Sequence, residues 1–176
     1  MNNQDIFHVI SSQILVALCD EFPAPVYLSK ETYIGTLANR PELWDLQTKL
    51  SNAESLLSIQ PHLGGEGLSS EGTAKAQTAI RELKLKEKEK QRSIKNLEAV
   101  WKGTLLFLEA EGFIRHFEEE GHQFTAKGFV NLNRKIIDGQ SSSLLSGLRE
   151  AVRPQNLVTT LTNGALATLF PMVLGG

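Results

Sequence analysis

The stretch FLEAEGFIRHFEEEGHQFTAKGFVNL, residues 107–132, decides the fold of this chain. It opens on the end of a helical pattern, where Gly112 can adopt the left-handed conformation that terminates a helix. Two short runs, 113–117 and 122–124, read as strands around an acidic turn. Thr125 is a suitable N-cap for the helix that follows. The stretch therefore predicts a helix, a two-stranded hairpin and a second helix in succession.

Upstream of this stretch, apolar residues between 5 and 22 recur at helical spacing and predict a first helix. Pro23 disfavours helical geometry before it and lacks an amide donor, so it ends that helix. Residues 26–28 can form one short strand. Ser29 is a suitable N-cap for a second helix that reaches about residue 37.

A segment at about 40–92 extends this pattern. Pro41 is well placed to begin a helix, and a later helical pattern runs from 73 to 111. We expect the two to form an antiparallel helical hairpin, with a bend or break in the later helix near the charged run 84–92. The earlier helix carries a narrow apolar seam at Leu43, Leu46, Leu50, Ala53 and Leu57.

The predicted order is helix, strand, helix, helix, two-stranded hairpin and helix. With the motifs FPAPV, TLLFLEAEGFI and FTAKG, it resembles the winged helix, a variant of the helix-turn-helix. It also resembles a group of uncharacterised bacterial proteins that share FPxPV, TLxFLxxEGFI and LTxKG. The resemblance implies a mainly α fold with a small β-hairpin: a winged-helix domain over 1–138, with a helical-hairpin insertion at about 40–92.

Charge bears on whether such a scaffold reads DNA. DNA-binding winged helices place the third helix in the major groove and the wing against the backbone, but the predicted wing turn here is Glu118, Glu119 and Glu120. Three carboxylates oppose a polyanion. Basic residues concentrate elsewhere, and they suit either a helix laced by exposed ion pairs or a patch for nucleic acid or an acidic partner. They are Arg81, Lys84, Lys86, Lys88, Lys90, Arg92, Lys95 and Lys102.

No catalytic, cofactor-binding or metal-binding constellation stands out in the sequence. His116 and His122 are expected to be neighbours across the hairpin, where a metal ion with Glu118 or Glu120 is one interpretation. We adopt the other, an ordinary polar surface, because the ligand set is incomplete. Cys19 falls near the buried face of the first helix and is expected to be a core thiol. Packing is the expected role of both tryptophans.

The end of the chain is predicted to be a linker at 139–143 and an α-helical tail at 144–176. The tail begins with a short amphipathic helix that ends before Pro154, and its last 20 residues carry no charge. It can pack on its own domain, become buried in another subunit or partner, or insert into a membrane; the polar side chains make the last unfavourable. The candidate partner interface is Leu157, Leu161, Leu169 and Val173.

Composition places the chain among soluble globular proteins, with 41% hydrophobic and 22% charged residues. The net charge of −2 does not indicate nucleic acid as a partner. No lysine or arginine precedes Lys30, so we expect no secretory signal and a cytoplasmic protein. The sequence predicts a non-enzymatic protein that interacts with another protein or itself. A DNA-binding regulator is the alternative, and a membrane-associated effector is a weaker third.

Overall fold

The computed structural model describes residues 2–59, 69–133, 143–153, 155, 156 and 173. These residues form a mainly helical fold with a small two-stranded antiparallel sheet, as predicted. The elements are α1 (Asn3–Asp20), α2 (Lys30–Ala38), α3 (Arg40–Ile59), α4 (Ser70–Ala110), β1 (Ile114–Phe117), β2 (Gly121–Phe124), α5 (Ala126–Leu132) and α6 (Leu144–Ala151).

The chain divides into two compact units. The first comprises Met1–Ile34 together with Leu97–Gly176, and the second is Gly35–Asn96. The helical insertion predicted at about 40–92 falls inside the second unit. Of the linker predicted at 139–143, only Ser143 lies among the described residues, and it is the N-cap of α6.

Helix α1 is the centre of the first unit. A capping box starts it, because Asn2 and Asp5 each accept the backbone amide of the other. Its buried face then supplies much of the core, and α6 packs against it, with an ion pair between Arg149 and Asp20. Five apolar residues of α1 have no exposed surface: Val9, Ile10, Ile14, Leu15 and Leu18.

Helix α4 is continuous over 41 residues, so the break expected near the charged run is absent. The run contains Lys, Glu, Gln, Arg and Leu, which are strong helix formers, and neither glycine nor proline. Local propensity therefore carries the helix through a segment that is charged all round. The expected break was wrong because it rested on the length of an unbroken helix over 73–111, roughly 58 Å, and length does not interrupt a helix made of strong helix formers.

The end of α4 folds as the sequence predicts. Gly112 has a φ of 71°, its amide donates to Glu109 O, and the amide of Phe113 donates to Leu108 O at 2.9 Å. These two bonds form a Schellman motif, which satisfies carbonyls that the helix leaves unpaired. The turn leads directly into β1.

A backbone bridge fixes the hairpin of β1 and β2 to the chain after α1. The amide of Val26 donates to His122 O at 2.7 Å, and the amide of His122 donates to Val26 O at 2.8 Å. The short strand predicted at 26–28 is thus a single bridge residue. Gly121 has a φ of 94°, and a Cβ there would lie 2.4 Å from Val26 O, so only glycine fits.

Helix α5 starts at the predicted cap. Thr125 Oγ1 accepts the Gly128 amide at 3.1 Å and donates to Gly112 O at 2.7 Å. The helix packs so closely on the hairpin that a Cβ at Gly128 would lie 2.6 Å from the Phe124 ring and 2.8 Å from Phe113 O. The contact requires the absence of a side chain at this position.

We predict that Gly128→Ala lowers the free energy of unfolding by about 1–3 kcal/mol, because the added methyl overpacks this contact. The matched control is Gly103→Ala in α4, where a Cβ would meet nothing within 4 Å. That control is expected to stabilise the protein by about 0.5–1 kcal/mol, as alanine does in place of glycine inside a helix. Chemical denaturation of both variants checks this, and equal effects would contradict the packing described.

Candidate functional site

Helix α3 and the first half of α4 form the predicted antiparallel hairpin. The bonds between them run in opposite chain directions: Glu42 binds Lys90, Gln47 binds Glu87, and Glu54 binds Lys84. The predicted seam of α3 is half-buried at all five positions. The two helices of the hairpin therefore contact each other through one apolar seam and the polar pairs that flank it.

The opposite face of α3 has no cover among the described residues. The helix contains no buried residue over its 20 positions, and Trp44 is 73% exposed, so the packing role expected of this tryptophan is wrong. Trp101, by contrast, is buried and stacks on Tyr33. We call the uncharged, exposed positions along this face the outer stripe of α3. They are Trp44, Thr48, Ser51, Ser55 and Ile59.

The predicted basic residues divide into two groups. Lys90 is half-buried in its pair with Glu42, and Lys84 pairs with Glu54 at 2.7 Å while staying exposed. The other six are exposed, and none forms an ion pair with any described residue. They are Arg81, Lys86, Lys88, Arg92, Lys95 and Lys102.

Five basic residues of the hairpin lie on one side of α4. Their steps of three or four residues place them in a single line with no acidic residue in it. Over 14 residues of helix that line is roughly 21 Å long. We call it the basic stripe: Arg81, Lys84, Lys88, Arg92 and Lys95.

A separate cluster lies in the first unit, where β1 and β2 meet the last turn of α4. His116 and His122 are direct partners in the register, as predicted, with ring centroids 4.7 Å apart. The carboxylate beside them is Glu109, with Oε1 at 3.5 Å from His122 Nε2, rather than Glu118 or Glu120. One ligand atom from each of the three residues lies within 4.8 Å of the others.

The electrostatics of this cluster favour neutral imidazole at His122. Burial lowers the pKa of His122, and the His116 imidazole lowers it further, while the Glu109 carboxylate acts in the opposite direction. His122 Nδ1 is buried and finds no hydrogen-bond partner among the described residues. A buried polar atom without a partner is costly, so this nitrogen marks the cluster as incomplete on its own.

The remaining predicted residues have simpler positions. Cys19 is buried, as expected for a core thiol, and burial raises its pKa. Val173 is fully buried. Leu157, Leu161 and Leu169 lie outside the described residues. None of the described helices is both long enough and apolar enough to cross a bilayer.

Comparison of the chain with models of protein families, with curated proteins and with solved structures finds no match.

Proposed function

We propose that this protein is a non-enzymatic interaction module that associates with a second copy of itself through the outer stripe of α3. The observation that carries the proposal is a 20-residue helix with no buried residue and a largely exposed tryptophan. A helix that belongs to a folded protein ordinarily buries one face. In α3 the seam is only half covered by α4, and the opposite face is bare among the described residues.

The outer stripe is complementary to itself. In an antiparallel pair of α3 helices related by a two-fold axis, Trp44 of each copy meets Ile59 of the other, and Thr48 meets Ser55. The axis passes beside Ser51, where the small side chain allows two helices to approach closely. Contacts in which residue i meets j and j meets i are the requirement of a two-fold interface. The absence of charge along the stripe removes the like-charge repulsion that self-pairing would otherwise bring.

The burial gained is modest. Covering roughly 150 Å² of Trp44 and roughly 80 Å² of Ile59 in each of the two copies is worth about 11 kcal/mol in total, at about 25 cal/mol per Å². Lost translational and rotational freedom offsets much of this gain. We therefore expect a dimer with a dissociation constant on the order of 10 µM, formed and released as the concentration changes.

The rest of the chain serves as the scaffold. The order of α1, Val26 bridge, α2, α4, β1–β2 hairpin and α5 supports a winged-helix assignment, with α3 and the first half of α4 as its insertion. Glu118, Glu119 and Glu120 are all exposed at the tip of the hairpin. Negative charge at a usual point of contact with the DNA backbone supports a protein partner over a nucleic acid.

We predict that Ser51→Cys forms an intermolecular disulfide under mild oxidation, because the two-fold axis passes beside this position. The matched control is Ser93→Cys, which places the same thiol at an exposed position of α4. Non-reducing electrophoresis, at concentrations above and below about 10 µM, compares the two. The native Cys19 is buried and common to both variants.

A dimer band for Ser51→Cys alone, reduced by a further Trp44→Ala change, supports the proposal. Equal cross-linking of the two variants contradicts it. A full-length protein that remains monomeric by light scattering at ten times the expected dissociation constant would also contradict it.

The basic stripe favours a second candidate function, the binding of nucleic acid. Four of its five residues, all but Lys84, have no ion pair with a described residue. A line of cations free of interleaved acids matches a row of phosphates. In this candidate function, the helical hairpin of α3 and α4 contacts the nucleic-acid backbone, and the tip of the β1–β2 hairpin does not.

If the basic stripe binds DNA, Lys88→Glu weakens binding and lowers the slope of log affinity against log salt by about 1. The matched control is Lys86→Glu, which makes the same charge change off the stripe on the same helix. Fluorescence anisotropy with a labelled duplex at several salt concentrations measures both. No binding by the unchanged protein at low salt would rule the second candidate out.

A further inference from the structure

We propose that Glu109, His116 and His122 form a binding site for a divalent transition-metal cation such as Zn²⁺. The site is independent of the self-association proposed for α3, since all three residues belong to the first unit. It uses two imidazole nitrogens and one carboxylate oxygen, which is a donor set that zinc sites employ.

The three donor atoms need only a small rearrangement to reach the spacing of zinc ligands. Three ligand atoms lie within 4.8 Å of one another, whereas two ligands of a tetrahedral zinc ion stand about 3.4 Å apart. His122 Nε2 and Glu109 Oε1 are already 3.5 Å apart. His116 is exposed and Glu109 half-buried, so rotation of those two side chains can close the remaining distance.

The backbone holds each donor in place before any ion arrives. Glu109 is in the last turn of α4, where its own carbonyl accepts the Gly112 amide of the Schellman motif. His116 and His122 face each other in the strand register. His122 is also held on its other side by the two hydrogen bonds to Val26. A site built on paired strands and a capped helix end loses little entropy when it binds.

His122 supplies the observation that points to a ligand. Its side chain is 13% exposed, its Nδ1 has no hydrogen-bond partner among the described residues, and its Nε2 is beyond ordinary hydrogen-bond length from Glu109. An imidazole removed from water ordinarily satisfies both nitrogens. A metal ion bound at Nε2 would occupy the lone pair of that nitrogen and replace the long contact with Glu109 by coordination bonds.

The donor set also selects the class of ion. Imidazole suits zinc, copper, nickel and iron, whereas calcium and magnesium prefer oxygen ligands. Three protein donors leave one tetrahedral position open. Glu109 and His116 also line a hollow of about 630 Å³, with Arg115 and Lys127 on its wall, and the hollow has room for a water molecule or an external fourth ligand.

The test uses the full-length protein stripped of metal with a chelator and then titrated with Zn²⁺ in a calorimeter. One ion per chain is the expected stoichiometry. Co²⁺, titrated in parallel, should give the intense visible absorption of a tetrahedral site. His116→Ala is the principal variant because this side chain is exposed and its loss leaves the core intact. It is expected to weaken Zn²⁺ binding by about 100-fold, and Glu109→Gln by about 10-fold.

Two controls make the test specific. His62→Ala removes a histidine elsewhere in the sequence, and Glu118→Gln removes a carboxylate of the turn between the two histidines; neither should change the affinity by more than about 2-fold. The proposal is overturned if the unchanged protein takes up no Zn²⁺ at 100 µM. It is equally overturned if the affinity survives His116→Ala, or if Glu118→Gln weakens binding and Glu109→Gln does not.

Discussion

The apolar stripe of α4, which the charged run 84–92 interrupts, is the constraint on which the rest of the structure depends. Its first part, with Ile80 buried and Leu83 half-buried, belongs to the second unit, and its last part, with Leu97, Trp101 and Leu108 buried, belongs to the first. Both compact units thus draw their packing from the same helix. The same element carries the basic stripe on another side and ends at the Schellman motif that places Glu109 beside β2.

The two proposals rest on different kinds of incompleteness. In the hairpin of α3 and α4, two helices can share only one seam, so α3 keeps a face that nothing described covers. Burial of apolar surface favours association but does not by itself select an orientation. The two-fold symmetry of the outer stripe selects the antiparallel orientation of the two α3 helices. In the cluster at the end of α4, the incompleteness is polar and local, because Nδ1 of the half-buried His122 has no hydrogen-bond partner among the described residues. The first suits another chain, and the second suits an ion.

Local chemistry made much of the fold predictable. Gly112 and Thr125 fix a helix end and a helix start through bonds within a few residues, and the histidine register follows from a short hairpin around the acidic turn. Glu109 could not be assigned to the histidines from the sequence, because Glu118 and Glu120 are nearer to them along the chain. The turn at Gly112 brings the β1–β2 hairpin back beside the last turn of α4, where Glu109 lies. The exposure of Trp44 could not be predicted either. A tryptophan is usually buried, but its residue type does not show whether another element is present to cover it.

The central claim is that a second copy covers α3, and hydrogen exchange of backbone amides tests it most directly. Exchange would be followed by mass spectrometry at about 1 µM and about 100 µM, on either side of the expected dissociation constant. The account predicts that peptides from 40–59 exchange more slowly at the higher concentration, while those from 6–19 of α1 keep the same rate. Identical exchange of 40–59 at both concentrations would contradict it.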